Sequence, residues 1–88
     1  MTAKQRRELL AQSHALNPAA TIAADNLSDA VVTRVRACLA GRALVKVRIR
    51  ADSGPECDAA AAELARRVPC ELVKRVGRVA VLYRPVES

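Results

Sequence analysis

The side chains with the clearest chemical potential are the cations of the stretch 44–50, which reads LVKVRIR. Apolar and cationic residues alternate there, and a period of two residues is typical of a half-buried β-strand. Lys46, Arg48 and Arg50 are therefore expected on one face of the strand, where they could neutralise the phosphates of a polyanion. An ordinary solvated strand face is the alternative, because Lys and Arg are the usual outward residues of a one-sided sheet.

The other polar residues give little indication of a catalytic site. No set of serine, histidine and acid is evident, and His14, the single histidine, falls at the predicted end of a helix. An imidazole at that position can bond free carbonyls, so we interpret it as structural. Asp29 and Glu56 occupy positions in the first turns of predicted helices, where acids serve as caps. We therefore expect no catalytic residue and no enzymatic activity.

The three cysteines, Cys38, Cys57 and Cys70, are separated by many residues and form no CxxC pair. With one histidine as the only further ligand, this spacing supports neither a zinc site nor a disulfide framework. We expect no metal and no cofactor, and we interpret the thiols as small buried hydrophobic groups.

Composition limits both the size of the core and the kind of partner. At 88 residues the chain is expected to form a single domain over residues 1–88 with one modest core. The net charge of +6 comes from cations that recur along the whole chain, which favours a folded basic surface over a basic tail. Nucleic acid and an anionic membrane are the partners that such a surface could bind.

Length and pattern argue against the membrane. The longest stretch free of charged residues, 9–24, is interrupted by polar residues and by Pro18, so it cannot span a bilayer as a helix. The charged residues at positions 4, 6, 7 and 8 fall where the apolar core of a signal peptide would lie. The sequence therefore predicts a soluble cytoplasmic protein.

Capping residues and hydrophobic periodicity predict seven elements that position these side chains. The predicted helices run over 2–16, 28–41 and 53–67, and the predicted strands cover 19–23, 44–50, 71–76 and 79–84. Gly77 and Arg78 alone separate the last two strands, which predicts a tight antiparallel hairpin. Helices lie between the earlier strands and favour crossover connections, so the predicted fold class is α/β (α+β) with a mixed sheet.

Several motifs occur in an order that resembles one known family. They are KQRRELL at 4–10, HALNP at 14–18, LSD at 27–29, LVKV at 44–47, glycine at 77 and VLYRP at 81–85. On these motifs the chain resembles the CRM domain family in its bacterial, single-domain, YhbY-like form, from about Lys4 to Pro85. VLYRP is the most specific of the matching stretches.

This resemblance implies a four-stranded mixed sheet with helices packed on one face, similar to the C-terminal domain of translation initiation factor three. It also implies a non-catalytic protein that binds structured RNA. Bacterial members of the family associate with precursors of the large ribosomal subunit, and plant relatives assist intron splicing. The expected partners are therefore RNA, above all precursor large-subunit rRNA, and pre-ribosomal particles, with the chain acting as a monomer.

One departure from the family concerns its Gly-x-x-Gly loop, which follows the first strand. The corresponding residues here are Ala23, Ala24, Asp25 and Asn26. Glycines let backbone N–H groups approach phosphates without a Cβ in the way, whereas Ala23 adds bulk and Asp25 adds a repelling charge. Asn26 can still adopt a left-handed conformation. We hypothesise that RNA contact has shifted toward the cationic strand face and the first helix.

The candidate RNA-binding residues share a cationic side chain on the predicted surface. They are Arg6, Arg7, Arg34, Arg36, Lys46, Arg48, Arg50, Arg78 and Arg84. Tyr83, the single aromatic residue, could belong to the core or to the contact. Readers of single strands stack bases on several aromatics, so folded RNA is the better substrate class. The alternative function is a protein-interaction module that docks an acidic partner on its basic face.

Overall fold

Three helices and four strands follow one another in the predicted order in the computed structural model, which describes residues 1–84. The elements are α1 (Ala3–Ser13), β1 (Ala20–Ala23), α2 (Asp29–Gly41), β2 (Leu44–Arg50), α3 (Gly54–Arg67), β3 (Glu71–Val76) and β4 (Val79–Tyr83). None of the helices in this range is long and apolar enough to cross a membrane. Pro85, expected to close the last strand, lies outside the described residues.

The strands form one mixed sheet in the order β1-β2-β4-β3. β1 runs parallel to β2, while β4 pairs antiparallel with both β2 and β3. The β3–β4 hairpin turns at Gly77, whose φ of 60° suits the first central position of a type II′ turn. The predicted α+β class and the four-stranded mixed sheet are confirmed.

Hydroxyl side chains cap the N-termini of all three helices within residues 1–84, as the sequence predicts. Thr2, Ser28 and Ser53 accept hydrogen bonds from backbone N–H groups three residues further on, over 3.0, 3.3 and 3.2 Å. These bonds satisfy donors that a helix N-terminus otherwise leaves free. α1 ends at Ser13 and not at Leu16, because the chain must turn there to bring Ala19 beside β2, where its N–H donates to the Lys46 carbonyl.

The main core lies between one face of the sheet and the helices α2 and α3. Val45, Val47 and Ile49 of β2 are at most 2% exposed, as their alternation predicts. They pack in one cluster with the apolar stripes of both helices, among them Val35 and Leu64. Alanines on α3 let this helix approach the sheet closely, because a methyl group is the whole of their side chain.

The position of α1 corrects the expectation that the helices share one face of the sheet. Leu9 of α1 packs with Val73 and Val81 on the face opposite to α2 and α3. The reason lies in β4, whose residues 80–82 are all buried and whose side chains alternate between the two faces. A strand that is apolar on both sides needs cover on both sides, and α1 provides the second cover. Tyr83 is half-buried against this smaller cluster, which favours a packing role for its ring.

The three thiols are free and belong to the core or its margin. Cys57 is fully buried in the main core, and Cys38 and Cys70 are half-buried against it. Burial raises the pKa of the Cys70 thiol to about 11, although the nearby Arg84 partly opposes that shift. The thiols thus act as the small hydrophobic groups that the sequence suggests.

Candidate RNA interface

Three exposed arginines gather where β2 ends, and we call Arg48, Arg50 and Arg78 the sheet-end cations. Arg48 and Arg50 share the sheet face opposite to the main core because side chains alternate along β2. Arg78 lies in the adjacent β3–β4 turn, and its carbonyl accepts a hydrogen bond of 2.7 Å from the Ile49 N–H. Its Nε donates to the carbonyl of Ala51, just beyond β2, over 3.2 Å. Arg78 lies one step beyond the pairing of Arg48 with Val79, across from Ile49. The three cations therefore share one end of the sheet, but only Arg48 and Arg50 share the face opposite to the main core.

Lys46 shares the face of Arg48 and Arg50 but is half-buried. Its Nζ donates a hydrogen bond of 3.0 Å to the carbonyl of Leu16, just after α1. The end of α1 therefore covers the start of the predicted cationic face and leaves the sheet-end cations open. An ammonium group carries three donors, so Lys46 can still bind a second acceptor.

Arg6 and Arg34 lie at opposite edges of the sheet. Arg6 reaches from α1 to the carbonyl of Val73 in edge strand β3, and Arg34 reaches from α2 to the carbonyl of Thr21 in edge strand β1, each over 3.1 Å. Edge carbonyls lack a strand partner, so part of each guanidinium has a structural role. Arg7 is exposed on α1. Arg6 and Arg34 therefore flank the sheet on different sides.

Arg36 and Arg84 lie away from the sheet-end cations. Arg36 donates to the carbonyls of Val68 and Arg67 over 2.7 and 3.2 Å, where a cation complements the free carbonyls at the end of α3. The N–H of Arg84 donates to the carbonyl of Ala43, next to the opposite end of β2. Ala43 is about 23 Å from Arg50 along the strand. The nine predicted residues therefore do not form one continuous surface.

Three carboxylates within residues 1–84 are paired with arginines other than the predicted ones. Within residues 1–84, the ion pairs join Arg66 to Glu63, Arg67 to Asp29 and Arg75 to Asp58. The hydrogen bond from Arg75 holds the pKa of the Asp58 carboxyl below its ordinary value. None of the nine predicted cations takes part in these pairs, so the sheet-end cations keep their charge for an external anion.

The loop that replaces the glycine motif is an ordinary turn beside the sheet-end cations. The Asn26 N–H donates to the Ala23 carbonyl over 3.1 Å, and the Ala24 N–H donates to the Arg50 carbonyl over 2.9 Å. Gly77 is the one residue with positive φ among residues 1–84, so Asn26 does not adopt the left-handed conformation. The turn needs no glycine, which explains how the chain folds without the motif.

The N-terminus of α2, which follows this loop, already has local partners. The Ser28 hydroxyl caps the N–H of Val31, and the Asp29 carboxylate is 2.7 Å from a guanidinium nitrogen of Arg67. Arg67 also donates to the Leu27 carbonyl. A carboxylate in the first turn takes the place where a helix N-terminus favours an anion, so this end of α2 offers less to a phosphate.

A small cleft opens between the end of α1 and the β3–β4 hairpin. Its volume is about 130 Å³, and its lining consists of Ser13, His14, Lys46, Val76, Val79 and Val81. Val76 is 52% exposed. Sequence reasoning missed this cleft because the cleft forms only when α1 lies on the second face of the sheet. The sequence feature that could have indicated it is the apolar pair Val76 and Val79, which flanks the turn.

The fold and this site define a small α+β domain with exposed cations at one end of its sheet. The CRS1 / YhbY (CRM) domain family model matches residues 1–84. The chain belongs to this family, which confirms the resemblance seen in the sequence motifs.

Two relatives cover nearly the same length. An RNA-binding protein of Haemophilus influenzae is 25% identical over 88 residues, spanning 100% of this chain and 89% of that protein. The fold is similar to the solution structure of a hypothetical Staphylococcus aureus protein, a proposed RNA-binding protein, with a TM-score of 0.88. That likeness has 25% sequence identity and covers 100% of this chain and 92% of the other.

Proposed function

We propose that this chain is a non-catalytic protein that binds structured RNA through its sheet-end cations and acts in assembly of the large ribosomal subunit. The observation that carries the proposal is that Arg48, Arg50 and Arg78 lie at one end of the sheet, exposed and free of intramolecular ion pairs within residues 1–84. Guanidinium groups bind phosphate through paired N–H donors. Membership in the CRM family and the RNA-binding relative support RNA as the polyanion.

Structured RNA fits this surface better than a single strand. Proteins that hold single strands stack successive bases on aromatic side chains, and the one aromatic ring of the chain, Tyr83, is half-buried against the α1 cluster. Cations carried at the end of a folded sheet can instead bind the regularly spaced phosphates of a folded helix. The loop 23–26 adjoins Arg50 and would be a secondary contact.

More specifically, we propose that the RNA partner is precursor large-subunit rRNA within pre-ribosomal particles. The chain would bind it as a cytoplasmic monomer without a cofactor. The test is ultraviolet crosslinking in cell extract, followed by sequencing of the attached RNA. Enrichment of precursor large-subunit rRNA is the expected result. A variant with Arg48, Arg50 and Arg78 changed to Gln should lose that enrichment while remaining folded by circular dichroism.

Sedimentation separates this function from docking of an acidic protein on the same cations. Extract is treated with RNase or left untreated, and the chain is followed across a sucrose gradient. An RNA-binding protein leaves the heavy fractions after RNase treatment. Co-sedimentation that survives complete RNA digestion would assign the basic surface to a protein partner.

A further inference from the structure

We propose that the cleft between α1 and the β3–β4 hairpin binds one unpaired nucleobase extruded from the bound RNA. The inference rests on the proposed RNA-binding function and adds a base-specific subsite to it. Val76, Val79 and Val81 form an apolar wall, and His14 and Lys46 lie at its rim.

Register places this wall on the same face as Arg48 and Arg50. Val79 pairs with Arg48 and Val81 pairs with Lys46, and directly paired residues point to the same side of a sheet. Val76 pairs in turn with Val79. A base in the cleft would therefore have its own phosphate within reach of Arg48, whose Cα is about 7 Å from that of Lys46 along β2.

Exposure of Val76 indicates that the wall lacks an intramolecular cover. Within residues 1–84, Val76 and Met1 are the exposed large hydrophobic residues. α1 shields Val73 and Val81 through Leu9 and ends at Ser13, which leaves the outer part of the wall open. The Ser13 hydroxyl donates to the Leu10 carbonyl over 2.6 Å, so its proton is already used within the chain and is not available to a ligand.

Size and polarity fit a single flat heterocycle. A volume of about 130 Å³ is well below the roughly 300–1,000 Å³ of sites for larger small molecules. Lys46 uses one ammonium proton on the Leu16 carbonyl and has two further donors for a base edge. Uracil presents two keto oxygens to these donors, whereas the Watson–Crick edge of adenine offers one ring nitrogen beside an amino group that only donates, so the cleft should favour uracil over adenine.

The test compares two RNA hairpins that differ by one bulged uridine. Fluorescence anisotropy should show the wild-type chain binding the bulged hairpin about fivefold more tightly than the fully paired one, since contact with one base is a modest term. Val76→Gln should abolish this preference and leave affinity for the paired hairpin unchanged. Replacing the bulged uridine by adenosine should reduce the preference, and Lys46→Met should remove that discrimination.

The control variant is Thr33→Gln, because Thr33 is exposed on α2, which packs on the opposite face. It should keep the wild-type preference. Equal affinity of the wild-type chain for both hairpins, or a preference that survives Val76→Gln, would overturn the base subsite and leave RNA binding by the sheet-end cations intact. Failure to bind either hairpin would overturn the RNA-binding function and the subsite together.

Discussion

Removing the sheet-end cations should weaken RNA binding far more than removing three cations elsewhere. The test variant changes Arg48, Arg50 and Arg78 to Gln, which shortens no strand and removes no buried group, because all three side chains are exposed. Its net charge falls by three from the natural +6. Any loss of binding then reflects either that overall charge or the location of the cations.

A matched control separates these two causes. Arg42, Arg66 and Arg84 are also exposed, and their change to Gln lowers the net charge by the same three units. Arg42 adjoins the start of β2, Arg66 lies in the last turn of α3, and Arg84 bonds Ala43. The control cations are therefore near the end of the sheet opposite to the proposed site.

The expected magnitude follows from counterion release. Each phosphate contact adds about 0.7–0.9 to the slope of log K against log salt. Loss of three contacts should lower that slope by about 2–2.7 and weaken binding at 0.1 M salt by about 100- to 500-fold. That loss equals about 3–4 kcal/mol. The control should lose much less, because distant charges are screened beyond about 10 Å at this salt concentration.

The assay is fluorescence anisotropy with a labelled fragment of structured large-subunit rRNA at several salt concentrations. Circular dichroism and thermal unfolding would verify that both variants are folded. If the two triple variants lose the same affinity and the same salt slope, binding depends on net charge alone, and the reasoning from the location of the sheet-end cations is refuted.

Four further predictions test the loop, the placement of α1 and two titrating groups. Changing Ala23 and Asn26 to Gly and Asp25 to Ser should strengthen RNA binding in the same assay by less than about 1 kcal/mol, since the turn needs no left-handed residue; a gain of several kcal/mol would make the loop the main site. Leu9→Ala should lower the free energy of unfolding in urea by about 2 kcal/mol or more, and no change would contradict packing of α1 on the sheet. Alkylation of Cys70, followed by mass spectrometry, should be slow near pH 8 and should become faster toward pH 11, because burial raises the pKa of its thiol to about 11. The free energy of unfolding should also fall as pH rises from about 9 to about 11, because the folded chain holds more protons than the unfolded chain in that range. Because Arg75 lowers the pKa of Asp58 in the folded chain, the stabilisation from this pair should be present above the ordinary carboxyl pKa and should be lost as pH falls through the lowered value; Asp58→Asn should remove that part of the acid dependence in a urea titration.

Much of the local structure could be read from residue spacing. The alternation in 44–50 correctly predicts both the bounds of β2 and its buried face. Ser28 and Ser53 cap helices where their sequence context predicts caps. These features depend on residues that are only a few positions apart, so the local sequence is sufficient to predict them.

The site was predicted less completely, because contacts between distant residues decide which cations remain available. Nothing near Arg36 in the chain indicates that it bonds carbonyls 31 and 32 residues away at the end of α3. The same holds for Lys46, whose ammonium group bonds the segment after α1. From the sequence alone, the side chains of Arg36 and Lys46 are expected to be as exposed as that of Arg48.

The sequence by itself thus determined the elements, the polarity of the two faces of β2 and the family. Only the tertiary structure decided that α1 covers the second face of the sheet, that Arg48, Arg50 and Arg78 gather at one end, and that a cleft opens beside them. The physical reason is that periodicity states which face of an element is apolar, whereas packing between distant elements selects the surface that covers it.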